Sequence, residues 1–480
     1  MLFNSIDFAI FLPLVFALYW FVFNRNLKLQ NIFICLASYI FYAWWDWRFL
    51  SLILVSSLTD YLVGLKMEQA HGKTRKLLLL ISLAVNLGLL GYFKYFNFFV
   101  ESFIAAFSLC GYTFQAPSLN IVLPVGISFY TFQTLSYTLD IYRKKTRPTT
   151  DLVAFFAFVS FFPQLVAGPI ERATNLLPQV INKRSFEYGS ATEGLRQILW
   201  GLFKKVVIAD NCAIYADLVF ASPESYNAAA LWVGSIFFGF QIYADFSGYS
   251  DIAIGTARLF GFKLKQNFAY PYFSRNMAEF WRRWHISLSS WVRDYLYFPL
   301  GGSRKGPLHA ARNTLIIFLI IGFWHGANWT FVFYGFIHAL LVIPHILIKP
   351  KYNPAEIVAQ GHLLPTLADF GRILLNYLLL SLARVFFRSE SISFAFSYLK
   401  DMLTPALFSM PNLPRGGIVI LGLVGLFFLA EWFSREHSFP LARENLKFPR
   451  LFRWLIYSFI ITLIILYADI SHAPFIYFDF

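Results

Sequence analysis

Residues 77–93 read LLLLISLAVNLGLLGYF, without a single charge. As a helix rising about 1.5 Å per residue the run is about 25 Å long, close to the ~30 Å hydrocarbon core of a bilayer. One such run fits a buried helix of a soluble protein. Ten more do not: comparable apolar stretches lie at Phe8–Phe23, Leu29–Trp45, Phe49–Leu65, Leu119–Tyr142, Ala229–Asp245, Thr314–Trp324, Trp329–Ile348, Ile373–Phe387, Ile418–Phe433 and Trp454–Ile470. The 480 residues are 58% hydrophobic, 20% aromatic and only 14% charged, whereas soluble domains run near ~45–50% apolar and ~25% charged. The expected fold class is an all-α polytopic membrane protein with about 11–13 transmembrane or re-entrant helices. Leu152–Val166 and Leu195–Phe220 are the ambiguous pieces, being amphipathic or interrupted. MLFNSIDF has no basic n-region and no small-residue cleavage site, so the first span is expected to stay. With no fixed-period repeat, Gly/Ser linker or long charged run, residues 1–480 read as a single membrane domain.

The net charge is +14, from 40 Lys and Arg against 26 Asp and Glu, and it is concentrated in loops. Asn24–Lys28, Lys66–Lys76, Arg143–Arg147 and Arg435–Arg453 are basic, which assigns them to the cytoplasm. Working outward from the first and last of these places both termini on the outer face, with a tail at 471–480 outside. Topology is the main cause of the charge; attraction of an anionic cofactor such as a CoA ester is the sharper reading, and the two are compatible. Membrane lipids are the surroundings, and no nucleic acid is expected as a partner. Cys35, Cys110 and Cys212 are isolated, give neither a disulfide framework nor a metal spacing, and read as packing residues.

The segment 270–306, YPYFSRNMAEFWRRWHISLSSWVRDYLYFPLGGSRKG, is too polar to span. Asn276 and Glu279 have the spacing of a capping box. Beyond them Trp281, Trp284, His285, Leu288, Val292 and Tyr295 recur at helical spacing, with Arg282, Arg283, Ser290 and Arg293 off that stripe. An amphipathic helix with one histidine on its apolar face follows, and such a helix also serves as a plain interfacial anchor. His325 lies in GFWHGANW at the end of an apolar run, flanked by Gly322 and Gly326. An ionisable group at membrane depth is costly and usually faces a cavity or a partner. His285 and His325 are therefore the candidate site; a neutral histidine bonded to a carbonyl is the structural alternative. His71, His309, His338, His345, His362, His437 and His472 lack such settings. Asp245 and Asp251, in QIYADFSGYSDIAIG, read as helix-end carboxylates; orienting a histidine or marking an ion path are the functional alternatives. No nucleophile elbow, P-loop, dinucleotide fingerprint or zinc pattern is visible, and no metal site is expected.

WRRWHISLSSWVRDYLYFPLGGSRKG followed by GFWHGANWTFVFYGFIHA resembles the membrane-bound O-acyltransferases (MBOAT), in their bacterial AlgI-like branch. LPVGISFYTFQTLSYTLDIYR, FFPQLVAGPIERA and QIYADFSGYSDIAIG match the same branch, and the likeness covers nearly the whole chain. It implies a many-helix fold around a central funnel, where a cytoplasmic acyl thioester meets an acceptor from outside. His325, the histidine of the WHG motif, becomes the general base, and His285 is the WH histidine of the amphipathic segment. The implied setting is the bacterial cytoplasmic (inner) membrane, with acetyl-CoA or another acyl thioester as donor substrate and no permanently bound cofactor. The implied partner is an extracytoplasmic SGNH-type (AlgJ- or AlgX-like) acetyltransferase, through which a polysaccharide acceptor is reached. A neutral imidazole, with pKa near ~6.5, suits removal of a hydroxyl proton at physiological pH. The alternatives are a DltB-like D-alanyl transfer protein and a transporter of lipid-linked saccharide with no covalent step. The tail FIYFDF is expected to fold into the outer mouth of the funnel and bury its aromatics there. Tyr477 is expected to accept the acyl group, since a phenol with pKa near ~10 leaves more readily than a sugar hydroxyl; plain packing is the other reading.

Overall fold

The computed structural model describes residues 1–113, 119–348, 356–468 and 475. Every regular element among them is helical, and eight helices are long and apolar enough to cross a membrane. Two 20-residue helices, Leu27–Asp46 and Leu50–Gln69, share the longest apolar stretch. They separate because Asp46 is extended and its carboxylate accepts the Arg48 N–H instead of continuing the helix.

The run at 77–93 belongs to the helix Gly72–Leu90, followed by a π turn at Gly91–Tyr95. Its two polar interruptions join it to its neighbours. Ser82 Oγ donates to Asp60 Oδ1 at 2.5 Å and Asn86 Nδ2 to Asp60 Oδ2 at 2.9 Å, while Ser56 Oγ and Thr134 Oγ1 donate to Asn86 Oδ1. Hydrogen bonds of this kind hold helices together where lipid offers no hydrophobic contrast.

Three expected pieces differ in form. The run Leu119–Tyr142 becomes a helix only from Ile127, because Pro124 and the left-handed Gly126 precede it. Leu152–Val166 folds as two short helices, Leu152–Ser160 and Phe162–Leu165, too short to cross and packed from Phe155 onward around the buried Phe155, Phe158, Phe161 and Phe162. Leu195–Phe220 lies within one continuous helical stretch, Tyr188–Leu202 and Asp210–Ala221 joined by a π turn at Phe203–Ala209.

The axis of the molecule is the 32-residue helix Ala228–Leu259. Most of its residues are buried, polar ones included, as suits a helix surrounded by protein. Gly248 lets it touch the Tyr188–Leu202 helix: a Cβ there would stand 2.8 Å from the Gly201 carbonyl. Asp245 and Asp251 sit well inside this helix, which corrects their reading as helix-end residues. Lys205 binds Asp245 at 2.9 Å and Asp210 at 2.8 Å; Lys204 binds Asp251 at 2.5 Å. Cys35 and Cys212 are buried as packing residues, whereas Cys110 is exposed.

The four basic loops are joined by contacts along one face. Arg75 Nη2 donates to the carbonyls of Ile141 and Tyr142, Arg143 to that of Asp294, and Arg172 pairs with Asp294 at 2.5 Å. Arg184 donates to Gln30 and Asn31, just beyond the first basic loop, and Gln266 to the Ser438 carbonyl in the last. Leu259 ends the axial helix at this face, while the Asn227 end, some 48 Å away at helical rise, is tied to Ser409 and Asn412. With Cys35, Cys110 and Cys212 replaced by serine, Lys73→Cys, Lys144→Cys and Lys447→Cys should each react with an impermeant maleimide from the same side of a sealed vesicle. Asn412→Cys should react from the other side; mixed sidedness among the first three would break the single basic face.

Candidate active site

The segment 270–306 does not form the single amphipathic helix that its spacing predicts. It forms two short helices, Met277–Arg283 and Ile286–Val292, broken at His285. The break has identifiable causes. Asn267 accepts the first amides of the second helix, Ile286 N–H on its carbonyl at 2.9 Å and Ser287 N–H on its Oδ1 at 3.2 Å, and Ala269 N–H bonds the Arg283 carbonyl. His285 is left at φ 43° and ψ 55°, a left-handed conformation that costs a non-glycine residue about 1–3 kcal/mol and clusters at functional sites.

Nor is the segment an interfacial anchor. Glu279 is fully buried and held by Arg275 Nε at 3.1 Å and Arg283 Nη2 at 2.9 Å. Half of the capping box forms: Asn276 Oδ1 accepts the Glu279 N–H, but the Glu279 carboxylate accepts the amide of Arg275 and not that of Asn276. With its charges satisfied in this way, the segment turns Trp281, Trp284, His285 and Trp291 inward; all four are buried.

The helix Pro307–His325 ends at its histidine. Gly322 lets it pack on the helix Trp329–Ile348, since a Cβ there would collide with the Phe331 carbonyl. His325 and its neighbour Trp324 are buried, and the Trp324 indole lies between the two candidate histidines. Its ring centroid is 5.1 Å from that of His325 and 5.9 Å from that of His285. Phe129, from the LPVGISF stretch, touches both Trp324 and His285. His285 and His325 thus share one aromatic neighbourhood although they are 40 positions apart in the chain. His285 is 0% exposed, and neither of its ring nitrogens has a hydrogen-bond partner among the described residues. A buried polar group without a partner is costly, and two on one imidazole suit a ring that receives a substrate or water.

The sequence reading passed over Lys94 and set His338 aside among the histidines without a functional setting. His338 is fully buried; Trp281 Nε1 donates to its Nδ1 at 3.2 Å, and the Tyr334 ring that meets it edge-on at 4.3 Å also lies 6.4 Å from His325. That donor assigns the proton of a neutral His338 to Nε2. Lys94 donates to the carbonyls of Trp324 at 2.8 Å and His325 at 3.1 Å. Each is an ionisable residue within or at the end of an apolar run, the signal that singled out His325.

Tyr477 lies outside the described residues. Phe475 is described and only 1% exposed, its ring 5.9 Å from Phe246 and 4.9 Å from Tyr249. Phe246 in turn meets His285 edge-on at 4.6 Å. At Phe475 the chain is therefore one ring removed from the candidate site. Among the described residues no group of three or more His, Cys, Asp or Glu side chains gathers in a way that would hold a metal ion.

The family model of the membrane-bound O-acyltransferases matches residues 39–387, a span that holds His285, His325 and Lys94. The chain is 36% identical over its full length, and that of its relative, to the "Probable alginate O-acetylase AlgI" of Pseudomonas putida. It is 36% identical to the peptidoglycan O-acetyltransferase of Helicobacter pylori, over 84% of this chain and 80% of that one. To the teichoic acid D-alanyltransferase of Streptococcus thermophilus it is 30% identical over 53% of this chain and 65% of that one. A polytopic helical chain with two histidines about one buried tryptophan, matched by the family model over most of its length, belongs to the membrane-bound O-acyltransferase family and is an O-acyltransferase.

Proposed function

We propose that the protein carries an acetyl group from a cytoplasmic thioester, acetyl-CoA or another acyl thioester, across the bacterial inner membrane for O-acetylation of a cell-surface or secreted polysaccharide. The observation that carries this reading is the placement of buried His285 and His325 on the same Trp324 ring. The neutral imidazole of His325 takes the proton of the acceptor hydroxyl as its oxygen bonds to the thioester carbonyl carbon. The C–S bond then breaks, and the thiol leaves with the proton that the imidazolium returns. His285, whose nitrogens are uncommitted, donates to the carbonyl oxygen where negative charge grows, the kind of contact that lowers such barriers most. The acceptor hydroxyl is that of Tyr477.

The face that joins the basic loops is the cytoplasmic one, by the excess of Lys and Arg there, and both termini lie outside. The acetyl-tyrosine ester then passes to a separate SGNH-type transferase of AlgJ or AlgX kind, which grips the polymer. Relatives named for alginate and for peptidoglycan are both 36% identical to this chain, over 100% and 84% of it, and the choice of polymer is assigned to that partner in this reading. D-alanyl transfer is the weaker reading because the relative named for it matches about half of the chain. A transport role without chemistry does not suit a member of an acyltransferase family.

His325→Ala should lower acetyl transfer by a factor of about 10²–10⁴, the usual contribution of a general base, with the thermal unfolding temperature unchanged. Wild-type polymer acetylation by a stably folded His325→Ala protein would remove the histidine from the chemistry. Tyr477→Phe keeps the aromatic body and loses only the hydroxyl. Polymer acetylation should stop, and mass spectrometry of the wild type incubated with acetyl-CoA should find the acetyl on the tail peptide; an undiminished rate would make Tyr477 an anchor.

A further inference from the structure

A helix that stops leaves its last carbonyls without intrahelical partners, and inside a bilayer no water replaces them. The helix Pro307–His325 stops at its histidine without the usual left-handed cap, for Gly326 is extended at φ −165°. Its last three carbonyls are taken from outside by two consecutive residues. Tyr95 Oη donates to the Phe323 carbonyl at 3.2 Å, and Lys94 Nζ to those of Trp324 and His325 at 2.8 and 3.1 Å. The Tyr95 ring also stacks on Phe323 at 4.3 Å, and the Lys94 ammonium lies 5.8 Å from the centroid of the Trp324 indole.

Both donors come from the π turn Gly91–Tyr95, a bulge between the helices Gly72–Leu90 and Phe96–Leu109. Bulges of this kind are rare and concentrate at functional sites. A hydroxyl such as that of Tyr95 suffices to cap a carbonyl, yet the two carbonyls nearest the histidine are held by a cation, an expensive group at membrane depth. An ammonium has three donors. Two are used on the helix end, and Lys94 lines, with Trp324 and Phe129, the cleft bounded by Leu123–Ser128.

We propose that Lys94 is the positioning residue of the two-histidine site: it ends the helix at His325 and fixes the rotation of its last turn, so that Trp324 and His325 stand in register with His285. The inference rests on the proposed role of His325 as the base. Lys94 acts through the backbone and not on substrate.

The test uses the full-length protein in proteoliposomes with acetyl-CoA as the donor probe. Thiol release in a single turnover gives the rate constant of acyl transfer, written kcat here, and the acetyl-CoA concentration at half its maximum, written KM; thermal unfolding is followed in parallel for Lys94→Met, Lys94→Arg, Tyr95→Phe and His325→Ala. Lys94→Met should lose at least tenfold in kcat, with KM for acetyl-CoA within threefold of wild type and an unfolding temperature like that of Tyr95→Phe. Tyr95→Phe should stay within threefold in kcat, and Lys94→Arg should recover part of the loss. A smaller loss in Lys94→Met, or one shared by Tyr95→Phe and tracking their unfolding temperatures, would reduce Lys94 to a cap and overturn the proposal. If Lys94→Met does not fold, Lys94→Arg decides: a kcat below a third of wild type with unchanged stability supports positioning, and a higher one overturns it. An active His325→Ala would sink the role of His325 itself, a failure distinct from inactive His325→Ala beside normal Lys94 variants.

Discussion

A backbone amide or carbonyl that leaves a helix inside a bilayer has to be satisfied by the chain itself, and both candidate histidines stand where a helix is interrupted. At His285 the interruption is made by Asn267, which takes the amides of Ile286 and Ser287. At His325 it is made by Lys94 and Tyr95, which take the carbonyls of the last turn. Neither break is stable alone. Each exists because another part of the chain supplies the missing partner, so the position of each imidazole is dictated by residues far away in sequence. A continuous helix through either position would give its histidine the even spacing of its neighbours and not a place against Trp324.

The same economy governs the charges. Glu279 sits between Arg275 and Arg283, Lys205 between Asp245 and Asp210, and Lys204 beside Asp251. Pairs of this sort add little net stability over apolar packing, but removing one partner leaves a buried charge and costs about 3–5 kcal/mol. Here they fix orientation. The pairing of Glu279 rolls Trp281, Trp284 and His285 inward, and those of Asp245 and Asp251 lock the axial helix that carries Phe246. Phe246 is the ring that links His285 to Phe475, so the charge pairs set the distance between the histidine site and the approach of the tail.

Much of this was legible in the sequence. Apolar runs with few charges identify a polytopic helical protein because lipid imposes a length and composition on every span. The tryptophan-histidine pairs at 284–285 and 324–325 mark the site because ionisable groups at depth are rare. Helical spacing failed at 277–295, since periodicity reports which residues are apolar and is blind to Asn267, whose amide contacts cut the helix in two. It failed also at Asp245 and Asp251, where the hydropathy window ended a span that lysines on a neighbouring helix allow to continue. His338 was set aside and Lys94 went unread because an isolated ionisable residue gains meaning only from its partners, Trp281 in one case and the end of the His325 helix in the other. Of the tail, only Phe475 lies among the described residues, and it is buried against Phe246 and Tyr249, as its aromatic character led one to expect.

The central claim is that His285 and His325 form one site about Trp324. Residues that act as a unit are strongly non-additive: once one is lost, loss of the other costs little more. The most direct measurement is a double-mutant cycle on thiol release from acetyl-CoA with His285→Ala, His325→Ala and the double variant, each normalised to folded protein. A single site predicts that the double variant is no slower, within about threefold, than the slower of the two single variants. Rate losses that multiply, as they do for distant and independent positions, would contradict it.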